Sequence, residues 1–170
     1  MTPQEIINQL SKNQMVFGNL LKEITHTQAL WKPDFSSWNL LEVVCHLVDE
    51  EKFDFRTRVR LVLEDPEKEL PKFNPLHWVR EHKYLEQNIG LKTEEFLEER
   101  TKSIAWLNSL DHPRWENFYA HRTLGPITAL SYLANWLAHD YIHIRQVNRL
   151  AYEFFEFHSS SNLSYAGKWR

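Results

Sequence analysis

Glycine is unusually scarce in this chain, at 4 of 170 residues. All-β folds need many tight turns, and tight turns often need glycine, so the composition favours long helices. Hydrophobic residues make up 42% and charged residues 25%, which is close to the average of globular proteins and excludes a disordered chain. Because one domain usually takes roughly 100–200 residues, we expect residues 1–170 to form a single domain.

Charge, hydropathy and cysteine content exclude several functional classes. The chain has 20 Lys and Arg against 23 Asp and Glu, so it lacks the basic surplus that nucleic-acid binding requires. No apolar run approaches the ~18 residues of a membrane span. A single cysteine, Cys45, excludes an internal disulfide and favours a reducing compartment. We therefore expect a cytoplasmic protein with no nucleic-acid or membrane partner.

Apolar residues recurring every three or four positions predict four long helices. Capping boxes at Thr2 with Glu5, and at Asn39 with Glu42, mark the starts of the first two helices, and Thr93 is predicted to cap the third. The predicted helices span residues 3–25, 40–64, 94–110 and 125–150, and the longest connection spans 66–91. This pattern predicts an all-α fold, a four-helix bundle with a long crossover between helices two and three.

The fourth predicted helix carries the only histidine pair with i, i+4 spacing, His139 and His143. On a helix the two imidazoles lie one turn apart on the same face, in a stripe with Tyr132 that we expect to face the core. Burying an imidazole without a partner costs about 1–3 kcal/mol, and a shared divalent metal would offset that cost. Such pairs also occur without metal, with hydrogen bonds to neighbours such as Asp140.

A third candidate ligand, His46, lies in the most apolar part of the second helix, with Glu50 one turn further along. Three imidazoles with an open fourth position suit zinc, and imidazole also suits nickel and iron. Read alone, His46 also fits a core histidine. It does not share the helix face of Val44 and Phe55, so both faces can point inward only if this helix is buried nearly all round.

Other residues with chemical potential have simpler interpretations. Cys45 is predicted to be a small core residue, since adjacent helical positions point about 100° apart and it cannot share the direction of His46. His77 and His82 are predicted to lie at the surface. His121 precedes the fourth helix and could line the mouth of the bundle, although a role within the loop is also consistent with its position.

Five segments together resemble the DinB/YfiT-like family of metalloenzymes, over nearly the whole chain. The most specific are the entry to helix two and the His-Asp-x-x-His-x-x-Gln run of helix four. The segments are Trp31-Lys32-Pro33, Trp38-Asn39-Leu40-Leu41-Glu42, His46-Leu47-Val48-Asp49, Leu124-Gly125-Pro126-Ile127-Thr128 and His139-Asp140-Tyr141-Ile142-His143-Ile144-Arg145-Gln146.

The resemblance implies a four-helix bundle and a divalent metal held by three histidines, which correspond to His46, His139 and His143. It also implies a homodimer. Relatives include transferases and isomerases that use low-molecular-weight thiols such as bacillithiol, mycothiol or glutathione, and others are described only as metal-dependent hydrolases. The C-terminal segment 152–170 matches no part of the family pattern, so the substrate stays open.

The first functional hypothesis is therefore a metal-dependent enzyme acting on a small molecule, either a thiol-dependent S-transferase or a hydrolase. Glu50 is the candidate base, and Asp140 and Gln146 are predicted to orient imidazole N–H groups by hydrogen bonding. The alternatives are a non-catalytic binding module that the metal braces, and a stress-associated or DNA-damage-associated protein without enzymatic activity.

Overall fold

The computed structural model describes residues 1–72, 74–167 and 169. Within these residues the chain forms seven α-helices and one β-hairpin. The helices are α1 Pro3–Leu20, α2 His26–Leu30, α3 Leu40–Asp49, α4 Arg56–Glu64, α5 Pro75–Glu81, α6 Ile89–Ser109 and α7 Ala129–Ser159. The hairpin pairs β1 Phe118–His121 with β2 Gly125–Thr128, and short 3-10 turns occupy Tyr84–Glu86 and Ser164–Ala166.

A π-helical segment, Glu50–Phe55, joins α3 to α4 without a break, so residues 40–64 form one long rod as predicted. We call residues 40–64 the central rod. It forms the four-helix bundle together with α1, α6 and α7, and α1 packs against α6 and α7 while the central rod packs against the same two helices. The helix α5 lies within the long crossover that leads from the rod to α6.

Both predicted capping boxes are present. The backbone N–H of Glu5 donates to Thr2 Oγ1 at 3.2 Å, and that of Thr2 donates to Glu5 Oε2 at 2.6 Å. Asn39 and Glu42 exchange the same two bonds at 2.9 Å each. These bonds satisfy backbone donors that have no partner inside the helix, which is why the sequence signal locates both helix starts accurately.

The first and third helices differ from their predicted bounds. The first ends at Leu20 rather than residue 25, because the chain turns at Glu23, which has a left-handed φ of 59°. The third begins at Ile89 because Asn88, not Thr93, caps it by accepting from the Leu91 N–H at 3.1 Å. Thr93 lies inside that helix, where its hydroxyl donates to the Ile89 carbonyl at 2.8 Å.

The hairpin was not predicted, and it replaces the expected start of the fourth helix at Gly125. Gly125 has a φ of 75°, a conformation that suits glycine and closes the turn, and the strand pairs antiparallel with Phe118 opposite Thr128. Thr128 then caps α7, which extends to Ser159 instead of Leu150. Among the described helices, none is both long and apolar enough to span a bilayer.

Two apolar clusters lie in the bundle interior with charged and polar side chains buried between them, and a third cluster packs Ala29 and Tyr84 against Leu41 and Cys45 of α3. Of the first two clusters, one includes Leu10, Val59 and Trp136, and the other includes Phe17, Phe96 and Leu150. Each of the four bundle helices contributes to the buried polar layer in between. We give the name polar layer to Asn13, Glu51, Arg100 and Asp140, all of which are buried.

Candidate metal centre

The three predicted ligand histidines converge on one point inside the bundle. The Nε2 atom of His139 lies 3.2 Å from Nε2 of His46 and 3.1 Å from Nε2 of His143. One nitrogen from each ring lies within 4.8 Å of the other two, an arrangement that could hold a metal ion. His46 and His143 are buried and His139 is half-buried. The structure thus brings together residues separated by 93 positions in the chain.

The spacing of these nitrogens fits a shared divalent ion. Zinc–imidazole bonds of 2.0–2.1 Å in a tetrahedral arrangement place ligand nitrogens about 3.3 Å apart. The two contacts of 3.1 and 3.2 Å are close to that value. A neutral imidazole offers one N–H and one lone pair, so a single Nε2 cannot donate to both of its neighbours at once. An ion at the centre of the three rings would satisfy every Nε2 lone pair.

The helices that hold the rings explain this convergence. His139 and His143 lie one turn apart on α7, with ring centroids 4.3 Å apart. His46 approaches from α3, and the Trp38 ring meets it edge-on at 5.1 Å. Every residue from Leu40 to Glu51 is buried, so the central rod is enclosed all round along this stretch. His46 can therefore face the interior together with Val44 and Phe55, because this helix is buried nearly all round, as the sequence analysis required.

The π-helical segment resolves the mismatch between helix faces that the sequence shows. A π-helix advances through a smaller angle per residue than an α-helix, which changes the direction of every residue after it. Phe55 is accordingly buried, with its ring centroid 5.0 Å from that of His139, whereas Phe53 is 42% exposed. The insertion therefore turns Phe55 onto the histidine side of the rod.

Burial keeps all three imidazoles in the form that binds metals. It lowers the pKa of His46 to about 3, with a further contribution from His143. Burial, together with His143, His46 and Arg100, lowers the pKa of His139 to about 2. Burial also lowers the pKa of His143. The rings are therefore neutral at neutral pH, as imidazole ligands must be.

Gln146 contacts one of the three imidazoles. The Nδ1 atom of His143 lies 2.8 Å from Gln146 Oε1, and since an amide oxygen only accepts, Nδ1 carries the proton. The Nε2 lone pair of His143 is then free to face the other two rings. A hydrogen bond of this kind fixes the tautomer and orientation of a ligand histidine. Gln146 therefore lies within hydrogen-bond distance of His143, and its orienting role stays a prediction.

Asp140 has different partners from those expected. Its two carboxylate oxygens accept bonds of 2.7 Å each from the Nη1 and Nη2 atoms of Arg100, and Asn13 Nδ2 donates to Oδ2 at 3.1 Å. Among the described hydrogen bonds, none joins Asp140 to an imidazole. The reason is its direction, because adjacent helical residues point about 100° apart and Asp140 therefore faces α6 rather than the ring of His139.

Glu50 lies beside the centre without a hydrogen bond to it. Its Oε1 atom is 3.7 Å from His46 Nδ1, and His46 Nδ1 is buried with no hydrogen-bond partner among the described residues. Burial raises the pKa of Glu50 to about 8, with further contributions from Asp54. The carboxyl group is therefore largely protonated at neutral pH. Its catalytic role stays a prediction.

The other candidates lie where the sequence placed them, with one exception. Cys45 is in the core, and burial raises its pKa to about 12, which keeps it a thiol. His77 is exposed. His82 is not a free surface residue, because its Nδ1 atom is 2.7 Å from Asp49 Oδ2, which also accepts from the Tyr84 hydroxyl at 2.6 Å. No local spacing predicts this contact, since 33 residues separate Asp49 from His82.

The sequence analysis missed the polar layer behind the histidines. Arg100 donates from Nε to Glu51 Oε1 at 3.0 Å, and Glu51 Oε2 accepts from the Trp136 indole at 3.0 Å. A signal was available, because Arg100 lies four residues after Phe96 and four before Ile104, on the same apolar face of its helix. A charged residue at such a position indicates a buried ion pair.

Comparisons with known proteins agree with this architecture. A family model described as the DinB superfamily matches residues 9–147, a range that includes all three histidines. The chain is also similar to the solved structure of YfiT from Bacillus subtilis, described as a probable metal-dependent hydrolase with an unusual four-helix bundle topology. The TM-score is 0.78 at 18% sequence identity, over 89% of this chain and 87% of that chain. No curated protein sequence is similar enough to count as a match.

Proposed function

The chain belongs to the DinB superfamily, and from that membership we propose that it is a metal-dependent hydrolase acting on a small molecule. The proposed ligands of a divalent ion are His46, His139 and His143. The observation that carries this proposal is the convergence of the three Nε2 atoms, with adjacent contacts of 3.1 and 3.2 Å. Zinc and nickel are the proposed metals, and iron is compatible with the same ligands.

The residues around the three rings would organise the centre. Gln146 holds the His143 proton on Nδ1 and so directs its Nε2 lone pair inward. Trp38 and Phe55 cover the rings of His46 and His139 and limit the access of water. A divalent ion supplies a Lewis acid there, which lowers the pKa of a water or thiol in the open coordination position.

Glu50 is the proposed acid–base group. Its carboxyl group is buried next to His46, and a pKa of about 8 lets it accept or release a proton near neutral pH. Asp140 is not proposed for this role, since Arg100 and Asn13 bind its oxygens. Arg100 and Asp140 would instead fix the position of α7 and thereby that of the two histidines on it.

Transfer of a small thiol to an electrophile is the second candidate reaction. It would use the same ion with a thiol in place of water. Cys45 cannot supply that thiol, because it is buried and its pKa is raised to about 12. A free low-molecular-weight thiol would therefore be required as a co-substrate, and dependence of turnover on added glutathione or bacillithiol distinguishes transfer from hydrolysis.

Metal content of matched histidine variants tests the proposal. The purified chain is stripped with chelator, reloaded with zinc, nickel or iron(II), desalted and measured by elemental analysis. We expect about one ion per chain for the unaltered protein and for His82→Ala, which removes a half-buried imidazole bonded to Asp49 instead. His143→Ala should lose most of the metal, since it removes one of only three protein ligands.

Full metal occupancy in His143→Ala would contradict the assignment of the site. Helicity of each variant, measured by circular dichroism, separates loss of a ligand from loss of the fold. Hydrolysis is then tested by comparing metal-free and reloaded protein against a panel of small esters and amides. Equal turnover by the two forms would contradict metal-dependent hydrolysis while leaving metal binding intact.

A further inference from the structure

A cleft of about 440 Å³ opens beside the three histidines, between the hairpin, the central rod and α7. Its volume is within the usual range for small-molecule sites, about 300–1,000 Å³. Most of its lining side chains are apolar, and they come from all three elements. These apolar residues are Phe55, Leu124, Ile127, Tyr132, Ala138 and Ile142.

The cleft reaches the candidate metal centre directly. His139 contributes one of the three converging Nε2 atoms and also lines the cleft. Phe55 also lines the cleft, with its ring 5.0 Å from that of His139 and stacked on Trp136 at 6.0 Å. A molecule with its apolar part in the cleft would therefore place an adjoining group near the three histidines.

The charged groups of the cleft are already paired with each other. Arg58 Nε forms an ion pair with Asp54 Oδ1, one turn earlier on the rod, and the Arg58 guanidinium lies over the Tyr132 ring at 5.9 Å. Asp54 and Arg58 both line the cleft, so they bring one charge of each sign. The remaining surface is apolar or neutral. Away from the histidines, an uncharged molecule suits this lining better than an ion does, because Asp54 and Arg58 already neutralise each other and an ion would lose hydration there.

His121 offers a hydrogen-bond donor to the cleft. Its Nδ1 atom accepts from the backbone N–H groups of Thr123 at 3.3 Å and Leu124 at 3.2 Å. Because Nδ1 accepts, the neutral ring carries its proton on Nε2. His121 lines the cleft, and in the described part of the chain no partner is bonded to its Nε2.

We propose that this cleft binds the substrate, and that the substrate is a small, uncharged, apolar molecule with a carbonyl group that accepts a hydrogen bond from His121 Nε2. The inference rests on the proposed function in one respect, since it takes the three histidines as the reacting centre at the end of the cleft. Leu124 and Ile127 of the hairpin would then contact the apolar body and influence which substrates fit.

Binding of three matched probes to the full chain, stripped of metal with chelator, tests this proposal, because a bound divalent ion would attract the carboxylate of benzoate whatever the cleft prefers. Acetophenone is uncharged and has a carbonyl group, ethylbenzene has nearly the same shape without an acceptor, and benzoate carries a negative charge. Dissociation constants can be measured by NMR titration. We expect acetophenone to bind more tightly than either of the other two. Stronger binding of benzoate than of acetophenone would overturn the assigned substrate class.

Two variants with a matched control locate the binding site. Leu124→Asp places a charge at the cleft mouth and should weaken both uncharged probes at least tenfold. Leu91→Asp is the control, because Leu91 on α6 is 67% exposed and Leu124 is 72% exposed, so neither change should disturb the core. Equal affinities for the two variants would show that acetophenone binds elsewhere and would overturn the proposal.

The role of His121 is tested by His121→Asn. Asparagine keeps an acceptor near the Nδ1 position for the Thr123 and Leu124 N–H groups but has no donor as far out as Nε2. Acetophenone should bind about three- to tenfold more weakly, whereas ethylbenzene should be unaffected. Unchanged acetophenone affinity would overturn the donor assignment.

The same titration separates this proposal from the proposed function. If the chain binds acetophenone in the cleft but never retains a metal, the proposed function fails and the cleft assignment stands. If the chain retains zinc but binds acetophenone no more tightly than it binds benzoate, the cleft assignment fails and the metal site stands.

Discussion

Arg100 and Asp140 form a two-point ion pair inside the bundle, with both nitrogen–oxygen distances at 2.7 Å and almost no solvent exposure. Asp140 directly follows His139 on α7, so this contact anchors the helix that carries His139 and His143 to α6. Arg100 also binds Glu51 on the central rod. Burial by itself would lower the pKa of Arg100, but Glu51 and Asp140 raise it above its ordinary value. The guanidinium therefore stays charged and joins three bundle helices.

Asp140→Asn should lower the free energy of unfolding by about 3–5 kcal/mol. The change leaves Arg100 with only part of its negative partner charge in a buried site, which is the costly case for an ion pair. Denaturant unfolding, followed by circular dichroism, measures the loss. Glu86→Gln is the control, since its pair with Lys83 is exposed and should contribute less than about 1 kcal/mol. Similar losses of unfolding free energy in the two variants would show that the buried ion pair stabilises the fold no more than the exposed pair does.

Gln146→Leu should weaken metal binding by about 10- to 100-fold while leaving the fold intact. The change removes the acceptor for His143 Nδ1–H, so the imidazole is free to rotate or to move its proton to Nε2. Zinc affinity is measured by competition with a chelator of known strength. Asn148→Leu, on the same helix but bonded to the Ile144 carbonyl, should retain the original affinity. If the two variants bind zinc equally well, the orienting role of Gln146 is wrong.

Metal removal should abolish turnover without unfolding the chain. Two apolar clusters and the polar layer hold the bundle together without the three histidines, so the fold does not depend on an ion. After chelation we expect the helical content to be retained and Tm to fall by less than about 10 °C. A cooperative loss of helix on chelation would instead favour the alternative function, a non-catalytic binding module whose fold the metal stabilises.

Glu50→Gln should stabilise the metal-free chain, and by more at higher pH. The folded-state pKa of Glu50 is about 8 against an ordinary 4.5, so between these values the folded state holds a proton that the unfolded state has lost. The native free energy of unfolding therefore falls as pH rises through that window. The gain from Glu50→Gln should be near zero at pH 4.5 and largest above pH 8.

Glu95→Gln is the control for this pH dependence. Although burial acts in the opposite direction, hydrogen bonds from Lys92 and Lys52 lower the pKa of Glu95. Its charge stabilises the folded state above the ordinary glutamate pKa of 4.5, so Glu95→Gln should be destabilising at neutral pH and above. A pH-independent difference for Glu50→Gln would show that Glu50 ionises as it does in water.

Local signals in the sequence predicted the features that depend on neighbouring residues. Thr2 with Glu5 and Asn39 with Glu42 located two helix starts, because a capping box involves only four consecutive residues. The start of α6 was predicted wrongly, since Asn88 and Thr93 are both able to cap a helix and the sequence does not decide between them. The hairpin was missed because its four-residue strands give too short a pattern.

The sequence alone determined the helical bundle and the candidate ligands, because hydrophobic period and the spacing of His139 and His143 are local properties of a helix. Only the tertiary structure decided that the His46 ring lies beside those of His139 and His143. It also decided that Asp140 binds Arg100 instead of an imidazole, and that His121 lines the same cleft as His139. These relationships join segments that are distant in sequence, and they depend on how the helices and the hairpin pack, which leaves no periodic signal in the chain.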